Sequence, residues 1–226
     1  MSNFMQKRLA IALVLFAGSI FQGYKPIGSV GKKYKTVSEK RKLFKDVGCE
    51  YSNALNIQYS DFDQLDPKDS DVYRYDKKRS EAYTHTYAGA VQLMHHAPMY
   101  LKWISNVVGY GVFAEDSIKK GDLIGEYSGV LREVQKTSDN LDYAWYYSLD
   151  GLNEKKLVVD GKNEGNELRF INHANNPNTV RIDVLGKDGI FHVVYVASRD
   201  IKKDEQLTVS YGEGYFTSRD MKVIEV

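Results

Sequence analysis

Polar and apolar positions divide this chain into four textures. Lys7 and Arg8 precede an apolar run, Leu9 to Ala17, and then small residues at Ala17-Gly18-Ser19. That order is the layout of a secretory leader, and the run is too short for a helix crossing about 30 Å of hydrocarbon. We therefore expect residues 1–23 to be a signal-like leader without a permanent membrane anchor. Export is the favoured destination, with the cytoplasm or delivery to a host nucleus as alternatives. Residues 24–76 are polar and turn-rich with weak periodicity, and predict a loosely structured extension. Ala82, Tyr83, Tyr87, Ala90, Val91 and Met94 then recur at helical spacing. They predict a helix over 77–97 that ends before Pro98, within an extension of residues 24–100.

From Leu101 the texture changes to short β-branched and aromatic runs cut by Gly and Asp, the pattern of a sheet-rich domain. Strands are predicted over Val107–Ala114, Asp122–Val130, Lys156–Asp160 and Leu207–Val209. A hairpin joins Val180–Leu185 to Ile190–Val196 through Gly186-Lys187-Asp188-Gly189. No strands alternate with long helices after residue 100, which argues against a doubly wound nucleotide-binding fold. The fold class is α+β, predominantly β, over 101–216, with a tail at 217–226.

Composition narrows the chemistry. The single cysteine, Cys49, excludes an intramolecular disulfide framework and a thiolate zinc cluster. His85, His95 and His96 lack an acidic or thiolate companion at ligand spacing, so no metal site is expected. A net charge of +1 is not the footprint of a nucleic-acid binder. The charge is nevertheless segregated. Residues 25–45 carry eight Lys or Arg against Glu39, while residues 61–76 carry six Asp against Lys68 and Arg74. Such an acidic strip beside a catalytic domain could attract a basic peptide, although a plain polar surface is the commoner reading. No Ser, His and Asp arrangement suggests a hydrolase.

The motifs come in a fixed order: Gly109-Tyr110-Gly111, Tyr127-Ser128-Gly129, Gly165-Asn166 leading into Arg169-Phe170-Ile171-Asn172-His173-Ala174-Asn175-Asn176-Pro177-Asn178, and Glu205-Gln206-Leu207-Thr208-Val209-Ser210-Tyr211-Gly212. Asn and Asn-Pro are ordinary turn residues, and Gly-x-Gly alone suits a bent strand. The ordered set, from about Asn106 to Gly212, resembles the SET-domain protein lysine methyltransferases. Its compactness resembles bacterial members lacking the zinc-binding modules before and after the domain.

The resemblance implies a SET fold of several short sheets in which residues 205–211 thread beside 169–175 in a knot-like crossing. It implies S-adenosyl-L-methionine as cofactor, contacted by Gly109, Tyr110, Gly111, Arg169, Asn172 and His173. It makes Tyr211 the catalytic tyrosine. A lysine channel would be lined by Tyr127, Val209, Tyr215 and Phe216. The ungapped match adds Trp145 at a channel tyrosine position, with Tyr146 as the alternative. The chain's 17 Tyr against 9 Phe suit an aromatic channel. The implied partner is a lysine-containing protein, with histone or histone-like proteins as the suggested class. An inactive SET-fold binding module is the alternative.

Overall fold

The computed structural model describes residues 12–15, 31–135, 140–217 and 222–225. Apart from Ala12–Leu15, a strand antiparallel to Lys222–Glu225, the expected leader lies outside the described residues. Among the described residues no helix is long and apolar enough to cross a membrane.

Three small sheets carry the molecule. In the first, the hairpin Met99–Ser105 and Gly109–Ala114 is extended by Lys33–Tyr34. The second has the order Asn56–Ile57, Val130–Glu133, Leu157–Asp160, Ala144–Tyr146, which leaves Ala144–Tyr146 as an end strand. The third is antiparallel, with Phe191–Ala197 between Thr179–Leu185 and Leu123–Glu126. Strand periodicity explains how the third sheet joins two cores. Phe191, Val193, Tyr195 and Ala197 face the main core. Val194 and Val196, with Ile182 and Val184 of the partner strand, face the helix Lys77–Gln92.

The expected helix over 77–97 stops five residues early. Met94 takes a positive φ of 49°, and the Ala97 amide donates to the Ile124 carbonyl, so the chain has left the helix before Pro98. The expected single strand over 122–130 is two, Leu123–Glu126 and Val130–Glu133. Met99–Ser105 runs across the expected domain boundary at residue 100.

The extension is not loose. Thr36-Val37-Ser38-Glu39 is a capping box: the Thr36 hydroxyl accepts from the Glu39 amide, and the Glu39 carboxylate accepts from the Thr36 amide. It starts helix α1, Val37–Asp46, whose Leu43 and Phe44 are fully buried in the main core. The same helix delivers Lys40, whose ammonium lies 2.5 Å from the Glu167 carboxylate, both side chains under 10% exposed. The Tyr51 hydroxyl donates to the same carboxylate oxygen. Sparse apolar residues in a polar stretch hid this role from the hydrophobic pattern.

Candidate active site

The site is built at the parallel pairing of Asn172–His173 with Thr208–Val209. Two strands of two residues could not hold together alone, and Asn178 supplies the missing tie. Only 1% exposed, it donates to the Gln206 carbonyl at 2.8 Å and the Glu205 carboxylate at 3.2 Å. Its oxygen accepts from the Thr208 amide at 2.9 Å. Thr179 adds a hydroxyl bond to the Thr208 carbonyl.

This crossing fixes Tyr211. Its amide donates to His173 Nδ1 at 3.1 Å, and its hydroxyl donates to the Ile171 carbonyl at 2.6 Å. His173 Nδ1 is therefore the acceptor of a neutral imidazole whose proton sits on Nε2, 3.3 Å from the Asn175 carboxamide oxygen. Burial holds His173 below the usual imidazole value, which favours that neutral form. Burial pushes the Tyr211 phenol well above its ordinary range, aided by neighbouring tyrosines, so it is a neutral hydroxyl at physiological pH. With its proton engaged by Ile171, the phenol oxygen keeps acceptor capacity.

Aromatic rings surround Tyr211. Tyr215 lies at 4.7 Å between centroids, Phe216 stacks at 6.4 Å and 17°, and Trp145 stands edge-on at 6.4 Å and 76°. Tyr215 and Phe216 come from the short helix Glu213–Thr217. Strand alternation separates Trp145 from Tyr146: Trp145 turns inward and donates from Nε1 to the Tyr195 hydroxyl at 2.7 Å, while Tyr146 is 60% exposed. Tyr127 is one ring further back, edge-on to Tyr195 at 6.3 Å, its hydroxyl donating to the Tyr143 carbonyl. Val209 is 2% exposed within the main core.

On the other side lies the Gly-x-Gly hairpin. Gly109 has φ +77°, beside a register shift in the hairpin, and a Cβ there would meet nothing within 4 Å, so its main chain borders open space. At Gly111 a Cβ would come within 2.6 Å of Ile104 and about 3 Å of the Gln206 and Asn172 amides. Asn172 reaches across to donate to the Tyr110 carbonyl at 3.1 Å, which ties this hairpin to the crossing. Tyr110 itself is buried edge-on to Trp103 and Phe170.

Arg169 goes elsewhere. Its guanidinium donates to the Gly161 and Lys162 carbonyls and lies 4.1 Å from the Tyr143 ring centroid, at 6% residue exposure. Those partners are backbone oxygens, where the resemblance implied a contact with the cofactor. Thus the Gly109–Gly111 hairpin, Asn172, His173, Tyr211, Tyr215, Phe216 and Trp145 come together, while Arg169 is engaged by main-chain carbonyls and the Tyr143 ring and Tyr146 is exposed. Sequence reasoning missed Tyr195, which bonds the Trp145 indole. Its inward strand parity was readable, but the strand Ala144–Tyr146 that carries Trp145 was not.

The acidic strip also finds a place. Asp66, Asp69 and Asp71 meet Asp150 and Glu154 across an open cleft of about 980 Å³, whose lining continues through Tyr146 to Arg181 and Asp183. Among the described residues no group of three or more His, Cys, Asp or Glu could hold a metal.

Comparison with known proteins bears on the family and the fold. The SET domain family model matches residues 109–212, from the first glycine of the hairpin to the residue after Tyr211. Residues 109–212 are a SET domain. Over 115 residues, this chain is 31% identical to the H3 lysine-4 specific histone-lysine N-methyltransferase of Aspergillus oryzae, covering 47% of this chain and 9% of that protein. Histone-lysine N-methyltransferase EZ1 of Oryza sativa subsp. japonica is 34% identical over 115 residues, 49% of this chain and 12% of its own length. The chain thus spans about a tenth of these relatives. ATXR5, crystallised with mono-methylated histone H3.1, superposes with a TM-score of 0.59 over 79% of this chain and 88% of its own, at 22% identity. That likeness concerns the fold, and it extends well beyond the SET domain into the N-terminal extension.

Proposed function

We propose that this chain transfers a methyl group from S-adenosyl-L-methionine to the side-chain amine of a lysine in a protein substrate. The observation that carries the reading is the convergence, at one strand crossing, of Tyr211 and its aromatic surround with Asn172, His173 and the glycine hairpin.

The residues suit the cofactor. Open space beside the Gly109 main chain allows close approach, and Asn172 retains a carboxamide oxygen and a second N–H after bonding Tyr110. Rings of Tyr211, Tyr215 and Trp145 offer faces to a cation, for an ammonium as for a sulfonium. When bound, the cofactor supplies an electrophilic methyl on sulfur. The chain's task is then to present a neutral amine in line with it.

A free lysine, with a pKa of about 10.4, is mostly protonated at neutral pH. Tyr211 is no base for that proton, because burial keeps it a phenol. The proton leaves to solvent, and desolvation against the aromatic surround favours the neutral amine. The Tyr211 oxygen can then accept an amine N–H and orient the nitrogen lone pair, and positioning of this kind accounts for a large share of a transfer rate. A histone or histone-like substrate is supported by the names of the curated relatives. Calorimetric titration with S-adenosyl-L-methionine tests the pocket: one equivalent should bind, and absence of any binding heat or saturable competition would remove the cofactor assignment.

A further inference from the structure

The strand Thr179–Leu185 places a charged pair, Arg181 and Asp183, at positions whose parity faces inward, where its hairpin partner offers Val193 and Tyr195. Asp183's side chain is 6% exposed and Arg181's 24%. A buried pair of this kind adds little net stability, since desolvation offsets the attraction. Its placement calls for another explanation.

Arg181 lies directly across the hairpin from Tyr195, whose hydroxyl accepts from the Trp145 indole. The Arg181 guanidinium carbon is 5.7 Å from the Trp145 ring centroid, within cation-π range of about 6 Å. One of its terminal nitrogens donates both to the Tyr146 carbonyl at 3.0 Å and to the Asp183 carboxylate at 2.7 Å. Trp145 and Tyr146 belong to the end strand of their sheet, paired on one side only, with Leu157–Asp160. Arg181 therefore holds that strand from a second sheet: by the backbone at Tyr146 and by the ring at Trp145. Asp183 in turn fixes the guanidinium.

We propose that Arg181 is a positioning residue that holds Trp145 against Tyr211 and so sets the wall of the lysine channel. This rests on the methyl-transfer reading for its consequence, though its geometric half does not. Both bonds leave one nitrogen, but a lysine ammonium that made them could not also lay a delocalised plane against the indole. A lysine at 181 would keep the charge and lose the clamp.

The test compares Arg181→Lys, Arg181→Gln and the unaltered full-length protein by two readouts. Hydrogen exchange of the Trp145 indole N–H, assigned by NMR with a Trp145→Phe variant, should quicken about tenfold or more in both. In parallel, kcat for methyl transfer should fall about 10- to 100-fold, since displacement of about 1 Å near a reacting group costs that order. KM for S-adenosyl-L-methionine should stay within about twofold, because the contacts of Arg181 are with Trp145, Tyr146 and Asp183 and not with the glycine hairpin. Asp183→Asn should reproduce the exchange effect in part. Unchanged indole exchange, or loosened exchange with unchanged kcat, would overturn the proposal, as would a defect confined to cofactor KM. If Arg181→Gln does not fold, Arg181→Lys decides. If the unaltered protein transfers no methyl group to any acceptor, the methyl-transfer reading fails, and with it the channel role. The exchange experiment would still report whether Arg181 holds Trp145.

Discussion

At the scale of single residues, Tyr211 is held by two hydrogen bonds, its amide to His173 and its hydroxyl to the Ile171 carbonyl. Tyr211→Phe removes the bond to the Ile171 carbonyl and the acceptor for the amine while keeping the ring. Steady-state assays should show methyl transfer reduced about 100-fold or more, the order seen when one positioned polar group is removed from a reaction centre. Calorimetry should find cofactor affinity within about twofold of the original. The pH dependence follows from the same burial. With Tyr211 held above its ordinary range, kcat/KM should rise from about pH 7 to 9 with the substrate amine's ionisation. A descending limb in that interval would mean that the tyrosine ionises there. Not every residue of this site was legible beforehand. Tyr211, Asn172 and His173 stand in a motif whose order identifies them. The choice between Trp145 and Tyr146 depended on which face of a three-residue strand meets Val159, and no local pattern carries that register.

Among the elements, the crossing is held by side chains more than by its short ladder. Asn178 bonds the Thr208 amide, the Gln206 carbonyl and the Glu205 carboxylate, so Asn178→Ala should leave buried polar groups without partners. At about 1 kcal/mol for each bond, and more for each orphaned group, the cost should be about 2–4 kcal/mol in denaturant unfolding. A loss below about 0.5 kcal/mol would show that the strands hold each other without it. The hairpin Thr179–Leu185 with Phe191–Ala197 was plain in the sequence because a glycine-containing turn separates two β-branched runs. Helix α1 was hidden because its contribution to the core is confined to Leu43 and Phe44, with Lys40 buried beside them. Its capping box Thr36-Val37-Ser38-Glu39 was the readable signal.

For the molecule as a whole, extension and SET domain share one core, and the Lys40–Glu167 pair joins them. Lys40→Met should destabilise by about 3–5 kcal/mol by stranding a buried carboxylate, and adding Glu167→Gln should recover much of it. Equal losses in the single and double variants would mean that the pair is only a bystander. Buried imidazoles add a pH dependence. Burial pulls His173 and His96 below the ordinary value, so the unfolded chain takes up protons first as pH falls. Their stabilisation is complete above about pH 6.5 and declines below it. His192 opposes this: burial pulls it down, but the bond to Glu126 and the charges of Glu126 and Asp188 raise it overall, so its share is lost as pH rises through that raised value. The thermal midpoint should drop between about pH 7 and 5, and His173→Asn should make the drop shallower.

The most direct measurement is transfer of labelled methyl from S-adenosyl-L-methionine to a panel of basic proteins that includes core histones, with the labelled residue identified by mass spectrometry. Label on lysine side chains, abolished or strongly reduced by Tyr211→Phe, is the predicted result. Cofactor binding with no label on any protein, or label that Tyr211→Phe leaves undiminished, would contradict the assignment of Tyr211 and its aromatic surround as the site of methyl transfer.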